Sequence, residues 1–288
     1  AEPWDASMCG YQSGAFPPGW AEWNDRFRDV VRRFWRGDDR QVGELASRIT
    51  GSSDIFGPAR RTMWSSVNYI TVHDGMTLYD LVSYNHKHNF ANGEDNKDGT
   101  DANWSYNSGF EGITSDDSIL ENRKRRLRAM LATEMLSFGT PMIRAGDEIL
   151  DTKRGNNNTY SQDNEYSWID WKNIKPMGKE MLQMVKELMH FRATRPIMEH
   201  SNFFTEDICS WYKPDGNLMK KEDWHFYVKA LSCLIKNNKT SNRLFFIFNA
   251  HMKAQSRPLS RRRKNYPSIG RQRKRDFVRG VLKNLRFH

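Results

Sequence analysis

Between Asp25 and Thr194 the chain alternates two kinds of segment, and that alternation restricts it to one class of fold. Phe27, Val30, Val31, Phe34 and Trp35 fall at i, i+3, i+4, i+7 and i+8, which predicts a helix over 25–35. Val67 to Val72 is a β-branched run that predicts a strand and ends directly at His73-Asp74-Gly75. Thr140 to Glu148 predicts another strand, closing on the acids Asp147 and Glu148. A capping box, Ser118-Ile-Leu-Glu121, predicts the start of a long helix running to about Phe138. A further helix is predicted from Met177 to Thr194, stopped by Arg195-Pro196. Strand, loop and helix in turn are the pattern of an α/β fold. Residues 1–25, rich in Gly, Pro and Trp, read as one long loop. Residues 86–117 are too long and polar to be a mere connector.

From about Phe203 the pattern changes. Short aromatic segments at Trp211-Tyr212, Phe226–Leu231 and Arg243–Phe248 are separated by turns such as Pro214-Asp-Gly216. They predict a small β domain. After Ala250 the apolar pattern fades. The net charge of +10 comes from 45 Lys and Arg against 35 Asp and Glu, and Lys253–His288 holds 13 of the bases and one acid. The rest of the chain is close to neutral, so any polyanion argument applies to this tail alone. No apolar run approaches the ~18 residues of a membrane span, which excludes a transmembrane helix. Cys9, Cys209 and Cys233 are too scattered for a disulfide framework or a zinc site, and a reducing, cytoplasmic setting is expected. Nothing in the sequence calls for a cofactor, and no oxygen-ligand cluster compels a calcium ion or other metal.

Acids stand where strands hand over to loops: Glu2, Asp74 and the pair Asp147-Glu148. In parallel α/β folds, chemistry sits at the C-terminal strand ends. Two carboxyl groups there can divide labour, one protonating a glycosidic oxygen while another opposes positive charge. The plain alternative for each acid is a helix cap or a loop tie. Trp4, Tyr11, Phe16, Trp20, Trp23, Trp104 and Tyr106 lie in loops rather than on periodic faces. With Asn156-Asn-Asn158 and Gln162-Asp-Asn164 they offer the flat rings and amides that a sugar needs.

The motifs Ala1-Glu-Pro-Trp-Asp5, Gly10-Tyr-Gln12, Phe16-Pro-Pro18, Glu22-Trp-Asn-Asp-Arg-Phe-Arg-Asp29, His73-Asp-Gly75, Asn92-Gly-Glu-Asp95, Gly155-Asn-Asn-Asn158 and Gln162-Asp-Asn-Glu165 occur in one order. Together they resemble the glycogen debranching enzymes, the isoamylase-type branch of the α-amylase superfamily. Trp211-Tyr-Lys-Pro-Asp-Gly216 and Glu222-Asp-Trp224 are similar to the C-terminal domain of that family. The resemblance runs to about residue 250 and does not extend into the tail.

The resemblance implies an α/β fold, the C-terminal half of a (β/α)8 TIM barrel entered at its fifth strand, followed by a small antiparallel β domain. The expected divisions are 1–200 for barrel strands five to eight, 201–252 for an incomplete β-sandwich, and 253–288 for a disordered basic tail. Glu2 takes the family's general acid/base position, held protonated by partial burial beside Trp4. Asp74 becomes the transition-state stabiliser. His73, Trp4, Asp163 and Asn164 become substrate-binding. The nucleophile belongs to the fourth strand, which precedes Ala1 in the family order and is expected to be absent. The implied reaction is retaining hydrolysis of α-1,6 branches in glycogen, limit dextrin or related malto-oligosaccharides. One alternative is a catalytically dead carbohydrate-binding fragment. A remoter one is nucleic-acid binding through the basic tail, which only composition supports.

Overall fold

The computed structural model describes residues 1–4, 10–225, 228–237 and 242–251. Three short strands form a parallel sheet: β1 (Glu22–Asn24), β2 (Ser66–Asn68) and β3 (Thr140–Pro141), in the order β1-β2-β3. Trp23 pairs with Val67, and Asn68 with Pro141. Residues 1–3 run beside β1, where the Trp23 N–H donates to the Ala1 carbonyl at 2.9 Å.

Helices separate these strands. After β1 come α1 (Asp25–Arg36), α2 (Val42–Ile49) and the single turn α3 (Ser53–Phe56). After β2 come the short α4 (Leu78–Leu81) and the long α5 (Asp117–Leu136), and β3 is followed by α6 (Pro176–Thr194). Phe27, Phe34, Leu45, Met63, Ile70, Leu127 and Leu188 are buried in one core between helices and sheet. The ends of α5 and α6 are tied by Arg192, whose guanidinium donates to the Met135, Ser137 and Gly139 carbonyls and stacks on Trp64. Gly139 has φ +115°, and a Cβ there would lie 2.8 Å from Asn68 Nδ2 and 2.9 Å from the Ser66 carbonyl. Only glycine lets β3 approach β2 this closely.

Several predicted boundaries move. Of the run Val67–Val72 only Val67 and Asn68 are paired, in a strand that starts one residue earlier at Ser66, and Thr140–Glu148 pairs only at its first two residues. The remainder of the latter turns into a 3-10 segment, Asp147–Ile149, so Asp147 does not end a strand. The long helix starts two residues earlier than the capping box indicates. Asp116 accepts from the Ser118 and Ile119 N–H groups, and that carboxylate is the cap. β1 lies inside the region read as a loop.

The C-terminal region forms a separate antiparallel sheet of β4 (Cys209–Tyr212), β5 (Ala230–Lys236) and β6 (Arg243–Asn249), in that order. Of the predicted segment Phe226–Leu231, only Ala230 and Leu231 are in a strand, and Phe226 and Tyr227 lie outside the described residues. Cys209 and Cys233 are buried free thiols, while Cys9 and the basic tail lie outside the described residues. Among the described residues, no helix is long and apolar enough to cross a membrane.

Candidate active site

Trp23, at the centre of β1, is the residue around which the site is built. Its ring lies 6.3 Å from Trp4, 5.8 Å from Tyr69 and 5.9 Å from His73, centroid to centroid. Trp23 also holds the segment bearing Glu2 through its backbone N–H. One indole therefore links the Glu2–Trp4 segment to the turn carrying His73 and Asp74. His73 Nε2 lies 3.5 Å from Asp74 Oδ2, and the two side chains are 65% and 80% exposed. The partial burial expected around Glu2 is not found: Trp4 turns to Trp23, and Glu2 is exposed.

The loop at 10–20 closes over this junction. The Gln12 N–H donates to the Pro3 carbonyl at 2.7 Å, and Trp4 and Tyr11 form an isolated antiparallel bridge. Tyr11 donates its hydroxyl to Asp25 Oδ1 at 2.8 Å. Glu22 and Arg61, both fully buried, form an ion pair beneath the loop. Glu22 also accepts from the Gly14 and Phe16 N–H groups, and Arg61 donates to the Phe16 and Trp20 carbonyls.

Under His73 the chain is fixed by Arg32, which donates to the Ile70 carbonyl at 2.8 and 2.6 Å and to the Asn103 carbonyl at 3.1 Å. Burial pushes the Arg32 guanidinium down to about 10. Arg28, one turn earlier on α1, places its guanidinium 5.9 Å from the Tyr69 ring centroid. Burial raises the Tyr69 phenol. These supports were missed in the sequence, although Arg28 and Arg32 at i, i+4 share one helix face.

The pair Asp147-Glu148 serves the fold rather than the surface. Asp147 is buried and accepts from the Thr71 hydroxyl, the Leu78 N–H at 3.0 Å and Arg144 at 3.2 Å. Glu148 accepts from the Gly146 N–H at 2.8 Å. Asn156 and Asn157, expected to meet sugar hydroxyls, are buried instead. The Asn157 carbonyl accepts from the Gly75 N–H at 2.9 Å, and its side chain bonds Asn89, Asn103 and the Thr100 carbonyl. They brace the His73-Asp74 turn from behind. Trp104 and Tyr106 also leave the site, their ring faces covered by the guanidinium groups of Arg33 and Arg36, and of Arg126.

Asp163 is exposed and accepts from Trp168 Nε1 at 3.0 Å. Asn164 is engaged within its own turn, with Gln162 Oε1 and the Tyr166 N–H. Among the described residues, no three His, Cys, Asp or Glu side chains gather as a metal site. The arrangement leaves an exposed carboxyl beside β1 and an exposed His-Asp pair beyond β2, with the Trp4 and Trp23 indoles between the two segments, where a neutral polyol can approach them.

No family model matches the chain. It is 47% identical over 234 residues to the glycogen operon protein GlgX homolog of Mycobacterium tuberculosis, covering 78% of this chain and 32% of that protein. It is 44% identical over 256 residues to the glycogen debranching enzyme of Pectobacterium carotovorum, covering 88% of this chain and 38% of that enzyme. The chain thus spans about a third of the length of the curated relatives it matches. Among solved structures, it superposes on the pullulanase from Bacillus acidopullulyticus with a TM-score of 0.61 at 20% identity, over 86% of this chain and 28% of that one. The catalytic module of the glycogen-degrading pneumococcal virulence factor SpuA gives a TM-score of 0.61 at 16% identity, over 82% of this chain and 36% of the module's chain. At these identities the superpositions speak for a shared fold only.

Proposed function

We propose that this chain, a homologue of glycogen debranching enzymes over most of its length, carries the acid/base side of an α-1,6-glucosidase site within the second half of a (β/α)8 barrel. In this reading residues 1–200 are barrel strands five to eight, and 201–252 belong to a C-terminal β-sandwich. The observation that carries the reading is the Trp23 junction, which joins the Glu2 segment to the His73-Asp74 turn beside a parallel sheet.

The chemistry follows from the carboxyl groups. Glu2 in its protonated form gives its proton to the oxygen of the branch linkage as the bond from the anomeric carbon breaks. Bound glucan beside Trp4 desolvates Glu2, and this supplies the low-polarity setting that a general acid needs. The Asp74 carboxylate opposes the developing oxocarbenium charge, while His73 donates to a ring hydroxyl. A carboxylate nucleophile, assigned by the family order to the strand preceding that of Glu2, takes the anomeric carbon. Glu2, now ionised, then draws a proton from a water whose oxygen attacks the anomeric carbon and displaces the nucleophile carboxylate, releasing the sugar with retained configuration. The ligands in this reading are branched α-glucans such as glycogen and limit dextrin.

The test uses this chain joined to the preceding barrel half of a debranching relative, assayed on phosphorylase limit dextrin. Glu2→Gln is expected to lower kcat by about 10²–10⁴, with KM little changed. Asp74→Asn should also lower kcat more than it raises KM. Near-normal turnover in Glu2→Gln would overturn the assignment, and an effect of Asp74→Asn confined to KM would remove its transition-state role.

A further inference from the structure

The described surface beyond the His73-Asp74 turn carries aromatic rings that the reading above does not use. Phe90, Tyr160 and Trp168 are 71%, 73% and 62% exposed. Exposing single apolar side chains is ordinary, but two of these rings are also held in place. Tyr160 donates its hydroxyl to Glu94 Oε1 at 2.6 Å, and Trp168 donates its indole N–H to Asp163 Oδ1 at 3.0 Å. Each ring is thus anchored at its polar edge by a carboxylate, while its apolar faces stay open to water.

The loops bearing these rings are cross-linked to one another and to the candidate active site. Gln162 Nε2 donates to the Ala91 carbonyl at 2.8 Å and to Asn92 Oδ1 at 2.9 Å. Asn92 Nδ2 donates to the Asn158 carbonyl at 2.8 Å. One residue earlier, the Asn157 carbonyl receives the N–H of Gly75, next to Asp74. A short chain of hydrogen bonds therefore runs from Asp74 to the turn carrying Phe90 and the turn carrying Tyr160.

The charges decide what such a surface accepts. Lys97 is engaged by Asp95 and Arg154 by Glu165, which leaves the two ring anchors, Glu94 and Asp163, as acids in excess. That balance repels a polyanion and suits a neutral ligand with apolar faces and many hydroxyl donors. We propose that Phe90, Tyr160 and Trp168 form an outer platform for a linear α-1,4-glucan chain extending from the cleavage site. The rings stack on the apolar faces of successive glucose units, and Glu94 and Asp163 accept from hydroxyls at the ring edges. The choice of an α-glucan rests on the proposed branch cleavage; the platform itself rests on the exposed rings, two of them anchored.

The test is titration of this chain, joined to the preceding barrel half of a debranching relative, with maltoheptaose, followed by tryptophan fluorescence and calorimetry, with cellohexaose and a single-stranded DNA oligomer as comparison probes. Phe90→Ala, Tyr160→Ala and Trp168→Ala should each weaken maltoheptaose binding about 2- to 10-fold. The triple variant should weaken it at least about 30-fold, with unchanged far-ultraviolet circular dichroism. Unchanged affinity in the triple variant overturns the platform, and so does DNA binding that is tighter than that of maltoheptaose and is lost in the triple variant. Equal affinity for cellohexaose overturns the α-glucan assignment. The same variants in the completed enzyme separate the two proposals. Normal branch cleavage with an unaltered KM for glycogen sinks the platform alone. Ring-dependent maltoheptaose binding without branch cleavage upholds the platform and sinks the glucosidase reading.

Discussion

Asp80 shows how a single buried carboxyl can brace the candidate site at a cost. It accepts from the Thr152 hydroxyl at 2.5 Å, the Lys153 N–H at 2.9 Å and the Gly155 N–H at 3.3 Å, and so joins α4 to the loop behind His73. Complete burial outweighs these bonds and pushes its carboxyl up to about 6. An unfolded Asp titrates near 3.9, so from about pH 4 to 6 the unfolded chain releases a proton that the folded chain keeps. Stability contributed by this group is therefore full below pH 4 and falls as pH rises to 6, by roughly 3 kcal/mol. Asp80→Asn can keep the two N–H bonds on its oxygen and turn its amide to Thr152. It should flatten this part of the pH–stability curve measured by urea unfolding. An unaltered slope between pH 4 and 6 would show that Asp80 titrates normally. Glu134 on α5 works in the same direction. Burial and the neighbouring Asp147 charge raise it well above the usual carboxylate range, and its Oε1 has no hydrogen-bond partner among the described residues.

At the scale of elements, β1 is held by polar groups more than by apolar packing. Glu22 and Asn24 are fully buried, and Ser66 and Asn68 of β2 match them. Asn24 caps α1 by accepting from the Phe27 N–H, and its Nδ2 donates to Ser52 and Ser66. Asn68 continues across the sheet to the Phe138 carbonyl at 2.9 Å. Arg61→Met leaves the Glu22 carboxylate buried without its cation, and about 3–5 kcal/mol of stability should be lost. Adding Glu22→Leu should restore much of it, because a buried ion pair replaced as a pair is often neutral. A double-mutant cycle in urea checks this, and additive losses would contradict the coupling. This polar strand explains why β1 escaped sequence reading: Glu-Trp-Asn has no apolar alternation to detect. By contrast, α1 was legible because five apolar side chains repeat at helical spacing.

At the scale of the molecule, the parallel sheet is narrow. β1 and β3 each pair with β2 alone among the strands described, apart from the contact of Ala1 with β1. Parallel strands are ordinarily covered on both faces, and open edges template association. The proposed barrel removes those edges only when strands from another segment complete it. The 288-residue chain expressed alone should therefore be poorly soluble and hydrolyse no α-1,6 linkage. Co-expression with the preceding half of a debranching relative should raise its soluble yield and confer branch cleavage. A monomeric 288-residue chain that melts cooperatively and cleaves branches unaided would contradict both the open edges and the assignment of the nucleophile.

The α/β pattern, the two long helices, the shift to an antiparallel region near residue 203 and the kinship with debranching enzymes were all present in the sequence. They rest on local periodicity and on ordered motifs, which a linear reading can detect. The sequence also drew attention to Glu2, His73 and Asp74 as residues beside turns. Tertiary structure alone decided which acids face solvent and which serve the core. Asp147 meets Thr71 and Leu78, and Asn157 meets Gly75, across separations of about 70 to 80 residues that no local pattern encodes. Trp104 and Trp23 both read as loop residues in the sequence, yet one is capped by two arginines and the other lies in β1 between Trp4 and His73. A side chain's role follows from the partners that remove it from water, and those partners become neighbours only when the chain folds.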